Sequence, residues 1–277
     1  MEERDKLEPR GAMLDPARAA RTFVVTRHLP APALAPFVRH YWLIRWALSE
    51  PFVQSVLPLP TANAVIEAQT DTVGLSAAHR FDRTLEGQGA VFGTLFRPTG
   101  LAAIAHAPAH RFARPSRFAT IFRGDVEPVR ARAFGGASDA EVVSALDAYW
   151  LAEEPRVDPQ AEEVERWVAL AESERTIGRA EVLAAKVGVT VRTLERRMRA
   201  LVGFTPKQLL RRYRLQEAAA RLEAGDAVDH AALAQELGYS DQAHFVRDFG
   251  AAVGRPPARY ARAQERAAKE RVSARAR

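Results

Sequence analysis

The sequence predicts an α+β chain whose strands come first and whose helices follow. Three observations carry this. From Phe23 to about Arg114 the chain runs in short apolar stretches broken by Pro and Gly; from Gln160 onward Ala, Leu, Arg and Glu recur at helical spacing; and one stretch of the helical part occurs twice.

Taken in order, residues 1–20 are polar and alanine-rich, and we expect a poorly ordered lead-in. The runs RTFVV, FVRHYWLIRWAL, FVQSVLPLP, NAVIEA and GAVFGTLFRP are too short for helices and rich in β-branched and aromatic residues, so strands are predicted. TGLAAIAHAP and DAEVVSALDAYWLAEE read as helices; the second begins at a Ser138 or Asp139 cap and ends at Pro155. EEPRVDPQ is a linker. This gives a β-rich domain over 21–155, cupin-like or related, with flanking helices. An all-α domain is expected over 156–265, punctuated by Gly178, Gly188, Gly203, Gly225, Gly238 and Gly254, and a basic tail over 266–277.

The 277 residues suffice for two domains, and 47% hydrophobic content supplies real cores. No apolar run reaches the length of a membrane span and the N-terminus has no apolar signal core, so a soluble cytoplasmic protein is expected. The lack of cysteine excludes disulfides, thiolate zinc sites and thiol nucleophiles. Net charge is +6, and residues 158–277 carry 22 basic against 17 acidic side chains, which places +5 of it there. Between Val191 and Arg214, Arg192, Arg196, Arg197, Arg199, Lys207, Arg211, Arg212 and Arg214 face Glu195 alone. A polyanion is the expected partner.

The duplicated stretch explains what the charge is for. Leu183, Ala184 and Gly188 match Leu233, Ala234 and Gly238 at an offset of fifty; one residue later, Leu194, Met198, Val202, Gly203 and Pro206 match Phe245, Phe249, Val253, Gly254 and Pro257. Each copy spells helix, glycine turn, second helix, with the small alanine where two helices cross closely and Thr190 or Ser240 as cap. In VTVRTLERRMRA, Leu194, Met198 and Leu201 form the buried stripe, so Arg192, Glu195, Arg196 and Arg199 face away. That face suits a major groove, where arginine pairs with guanine and glutamate accepts from cytosine. In the second copy Gln242, His244 and Arg247 lie near the exposed start of the helix, opposite Phe245, Phe249 and Val253. TPKQLLRRYRLQEAAARLEAG between them predicts one long helix, with Leu210, Tyr213 and Leu222 inward and its arginines outward. Such a spacer would hold the two reading helices roughly 34 Å apart.

The doubled motif over 176–262, LAAKVGVTVRTLERRMRALVGFTPKQLLRRYRLQEAAARL followed by ALAQELGYSDQAHFVRDFGAAVGRPPARY, resembles the AraC family of bacterial transcriptional regulators. The resemblance implies a sequence-specific DNA-binding regulator with two base-reading helices, and promoter DNA and RNA polymerase as partners. No cofactor is expected. Carried over by position, the base readers are Arg192, Glu195 and Arg196, then Gln242, His244 and Arg247. The expected phosphate contacts are Thr190, Arg199, Lys207, Arg211, Arg212 and Ser240; loss of Arg211 or Arg212 is expected to weaken binding to all sequences alike. HYWLIRW, VLPLPTANAVIE and VFGTLFRPTGLAAI resemble the poorly characterised sensor-type domain that precedes this module in part of the family, which implies a small-molecule effector or a homodimer.

Trp42, Trp46, Asn63, Phe96 and Arg97 are the candidates for an effector pocket, against the plainer reading of strand aromatics as core. His106 and His110 have metal-pair spacing, but Pro108 interrupts the helix and no third ligand is evident, so no metal is expected. An N-terminal metal enzyme tethered to DNA would need an HxH cluster, absent from residues 1–157, and alkyl-acceptor repair needs the cysteines this chain lacks. A ligand-independent architectural DNA binder is the remaining alternative.

Overall fold

The computed structural model describes residues 19, 22–57, 59–76, 80–174, 176–224 and 229–275, with side chains as far as Arg266. The lead-in expected over 1–20 thus lies outside the described residues except for Ala19, as do Pro58 and Gly225.

Seven strands form the first half: β1 (Val24–His28), β2 (Val38–Ala47), β3 (Phe52–Val56), β4 (Ala62–Ile66), β5 (Asp71–Leu75), β6 (Phe81–Leu85) and β7 (Gln88–Phe96). They pair antiparallel as a five-stranded sheet in the order β1-β2-β7-β4-β5 and as a separate β3-β6 pair. The five runs read as strands all contribute; β5 and β6 were not foreseen, because DTVGL and FDRTL carry too much polarity and glycine to stand out. Register puts Tyr41, Leu43, Phe92, Thr94, Ala64 and Val73 on one face. Four helices of the first half and the linker region follow: α1 (Gly100–Ile104), α2 (Glu127–Phe134), α3 (Asp139–Ala152) and α4 (Pro159–Ser173). The helix read over 99–108 stops at Ile104, since His106 takes φ +48° and Pro108 follows.

Helix α3 starts where the sequence placed it. Ser138 and Glu141 form a reciprocal capping box, and the helix lays Val142, Leu146 and Trp150 on the sheet. Trp150 is fully buried; its indole N–H donates to Thr94 Oγ1 at 3.0 Å and its ring meets Phe96 at 5.2 Å and Tyr149 at 4.9 Å. Below it, buried Asp71 accepts from Arg130 at 2.7 Å, Arg117 at 3.2 Å and the Phe118 amide at 2.7 Å, fastening β5 to α2. On the opposite face Phe52 and Leu85 of the β3-β6 pair pack with Phe23 against Val25, Ile44 and Trp46. His40, also buried, is held neutral: burial, then Arg27 and Arg39, lower its pKa to about 4.

The second half contains α5 (Ala180–Lys186), α6 (Val191–Leu201), α7 (Pro206–Glu223), α8 (His230–Glu236), α9 (Gln242–Val253) and α10 (Pro257–Arg275). The stretch expected as a basic tail is thus helical in backbone as far as Arg275. The apolar core does not stop at the linker. One buried cluster runs from Leu34 and Tyr41 through Trp150 and Trp167 to Leu194, Met198 and Leu210; a second joins Leu222, Leu233, Phe245, Phe249 and Tyr260, and takes in Leu57 from the strand half. No helix among the described residues is long and apolar enough to cross a membrane.

Candidate nucleic-acid interface

In the first copy of the duplicated unit, α5 is held against α6 by buried Leu183 and Ala184. Thr190 caps α6, its Oγ1 accepting from the Thr193 amide at 3.2 Å. Leu194 and Met198 are fully buried and Leu201 partly so, which fixes the rotation of the helix. Arg192, Glu195, Arg196 and Arg199 are therefore exposed, and none makes an ion pair among the described residues. Arg197 is the exception on this helix: it turns inward to Glu163 at 2.5 Å, with its guanidinium 5.6 Å from the Trp167 ring centre.

The second copy repeats the plan with one change. Phe245, Phe249 and Val253 are buried, while Gln242, Ala243, His244 and Arg247 are exposed. The cap is Asp241, whose Oδ1 accepts from the His244 amide at 2.7 Å, and not Ser240 as expected. The extra residue in this turn moves the capping position along by one. Ser240 instead donates to Asp241 Oδ2 at 3.1 Å and lies 3.4 Å from His244 Nδ1. Accepting from the His244 amide and the Ser240 hydroxyl keeps the exposed Asp241 carboxyl below its usual range.

The connector α7 departs most from expectation. Its arginines are expected to face outward, but all four are engaged. Arg211 pairs with Asp248 at 2.6 Å and Arg221 with Glu236 at 2.6 Å, and Arg214 donates to the Gly178 carbonyl at 2.7 Å. Arg212 is not at the surface at all: 9% exposed, it donates to the carbonyls of Leu59 at 3.0 Å and Ser76 at 3.1 Å, with its guanidinium 4.2 Å from the Phe204 ring centre. Burial and neighbouring Arg211 bring its pKa down to about 10, so it remains charged at neutral pH. Reading α7 alone treats each arginine as solvated; with the strand half against it, Arg212 meets carbonyls instead. Arg212→Ala is accordingly expected to cost about 1–2 kcal/mol of stability by orphaning two acceptors, and to leave the salt dependence of DNA binding unchanged. Thermal melts and salt titrations of the same variant check this. Of the expected phosphate contacts, Thr190, Arg199, Lys207 and Ser240 remain exposed, and Arg211 is half-exposed.

The strand half also holds the C-terminal ends of α6 and α9. The residues that follow them, Gly203 and Gly254, have φ +85° and +81°. A Cβ at Gly203 would fall 2.4 Å from Leu75 Cδ1, and one at Gly254 would fall 2.4 Å from Arg80 Nη1. Arg80 donates to the Val253 carbonyl at 2.8 Å through its guanidinium and to the Ala252 carbonyl at 3.2 Å through its amide. At α6, His110 Nδ1 lies 3.2 Å from the Arg199 carbonyl. None of these anchors was visible in the sequence, since each joins residues far apart along the chain.

The five pocket candidates do not converge. Trp42 donates to Asn63 Oδ1 at 3.1 Å on one face of the sheet, and Trp46 donates to the Glu86 carbonyl at 3.1 Å. Phe96 lies on the other face, buried against Trp150, and Arg97 is occupied by the Ala35 carbonyl at 2.5 Å. The structure instead has a groove of about 530 Å³ between α2 and α3, lined by Val129, Arg132, Glu141, Ala145 and Tyr149 among others. The imidazoles of His106 and His110 point to different carbonyls, those of Glu153 and Arg199.

Residues 183–263 match a family model described as "Helix-turn-helix domain", and residues 26–116 match one described as "Domain of unknown function (DUF6597)". No curated protein matches. Among solved structures, the C-terminal domain of AraT, a response regulator from Geobacillus stearothermophilus, is 24% identical, with 39% of this chain and 88% of that one covered and a TM-score of 0.35. The DNA-binding domain of AdpA, a global transcriptional factor solved in complex with a target DNA, is 29% identical, with 39% and 93% covered and a TM-score of 0.32. ToxT from Vibrio cholerae O395 is 10% identical, with 87% and 97% covered and a TM-score of 0.42.

Proposed function

We propose that this chain, a DNA-binding transcription regulator with an AraC-type helix-turn-helix domain behind a domain of unknown function, reads a bipartite promoter site with α6 and α9 in successive major grooves. The observation that carries the reading is the pair of matched exposed faces. On each helix the side chains chemically suited to base edges are in solvent, while the apolar stripe opposite them is buried. Arg192 and Arg196 address guanine and Glu195 addresses cytosine at one half-site; Gln242 suits adenine at the other, with Arg247 and His244 beside it. Thr190, Arg199, Lys207, Arg211 and Ser240 fix the register on phosphates.

In this reading residues 21–155 form the sensing or dimerisation unit and 156–265 the reading unit. The chain acts as a regulator and not as an enzyme, in the bacterial cytoplasm, without a cofactor, with RNA polymerase as a further partner at the promoter.

The test is to select bound fragments from genomic DNA with the full chain and to footprint them. Two protected major-groove segments on one face of the duplex, about 10–10.5 bp between centres, are expected. A single protected segment, or two on opposite faces, would overturn the reading.

A further inference from the structure

Residues 105–124 hold four arginines and two histidines with no aspartate or glutamate. The function described so far uses none of this charge. Arg117 is taken by Asp71, but Arg111 and Arg114 are exposed and make no ion pair or side-chain hydrogen bond among the described residues. Their place is fixed by what surrounds them. The 3-10 turn Ala109–Phe112 is anchored by buried Ala109 and Phe112, and packs on the last turn of α6 with His110 Nδ1 3.2 Å from the Arg199 carbonyl. Arg199 itself belongs to the exposed reading face.

Geometry then decides what lies beyond this turn when α6 reads bases. The helix has 11 residues, so it is roughly 16 Å long at about 1.5 Å per residue. The major groove is only about 8.5 Å deep. A helix that enters it by its N-terminal residues therefore protrudes from the groove at its other end, and what is fastened to that C-terminal end stands beside the flanking phosphates. With no carboxylate in residues 105–124 to oppose them, the two arginines present unopposed charge at that point.

We propose that Arg111 and Arg114 form a third DNA contact, made by the strand half of the chain to the phosphate backbone flanking the first half-site. The contact carries no base preference, extends the footprint on one side only, and makes the N-terminal domain part of the DNA interface. It rests on the reading of α6 as a groove-binding helix.

The experiment uses the full chain, wild type and R111Q/R114Q, on the duplex selected by the wild type and on a random duplex, across a range of salt concentrations. The slope of log K against log salt is expected to flatten by about 1.8, at roughly 0.9 for each lost phosphate contact, while the ratio of target to random affinity is unchanged. R111K/R114K should restore the slope, because a phosphate asks for charge and not for a planar fork. Trimming the duplex on the flank of the first half-site should bring the wild type down to the R111Q/R114Q value and leave R111Q/R114Q unaffected. An unchanged slope, or a difference that survives trimming, overturns the proposal. If R111Q/R114Q keeps the wild-type slope while Arg196→Ala loses base preference, this inference alone fails; if Arg196→Ala keeps its preference, the reading of α6 fails with it.

Discussion

Phe249→Ala is expected to destabilise the chain by about 3–5 kcal/mol and to abolish protection of the second half-site. The ring is fully buried, with those of Phe245 and Tyr260 at 5.7 and 5.6 Å. Truncation removes the packing of an entire aromatic ring and leaves a cavity between α9 and α10 that backbone elements cannot close cheaply. The site matters because the second apolar cluster is small and separate from the main one, so the loss falls on a unit with little reserve. Once α9 is no longer seated, Gln242, His244 and Arg247 have no defined direction. Urea unfolding followed by helical circular dichroism measures the energy, and footprinting reads the second half-site. A midpoint change equivalent to less than about 1 kcal/mol would contradict the packing argument.

Arg196→Ala is expected to do the opposite: little to stability, much to recognition. Its guanidinium is exposed and makes no ion pair among the described residues, so nothing in the fold depends on it. At the target, loss of a bidentate arginine–guanine contact costs about 1–3 kcal/mol, or roughly 5- to 150-fold in affinity, and confines that loss to one base pair. Titrating the variant against duplexes with each of the four pairs at every position of the first half-site measures it. Equal losses on target and random DNA would remove Arg196 from the base readers. Arg197, one position on, is the internal contrast, since Glu163 and Trp167 hold it in the fold.

The helical half was largely legible because its signals are local. The spacing of Leu194 and Met198, or of Phe245 and Phe249, fixes which side of each helix is buried, and the exposed set follows by rotation. The same reading places the cap of α3 at Ser138 or Asp139, where Ser138 serves, and it places the connector helix. It failed where a residue's surroundings come from elsewhere in the chain. Arg212 looks in sequence like any solvated arginine, yet the Leu59 and Ser76 carbonyls claim it. Phe96 was grouped with Trp42 by type, but the two-residue period of the strand sends them to opposite faces of one sheet. Ser240 does not cap α9 because the extra residue in the second turn shifts the capping position to Asp241. Strand β5 is not legible in the sequence because Gly74 leaves no side chain to detect; its backbone lies close to Pro115, where a Cβ would stand 3.0 Å from the proline Cα.

The anchoring of both reading helices by the strand half bears on how such a protein can be rearranged. A chimera spliced at residue 155 to a foreign effector module would strand the Arg212 guanidinium, strip Leu75 from Gly203, and leave the Val253 carbonyl without Arg80. Gene shuffling that exchanges the two halves is therefore viable only when these docking residues travel together. Their joint inheritance sets the practical unit of recombination, wider than either half alone.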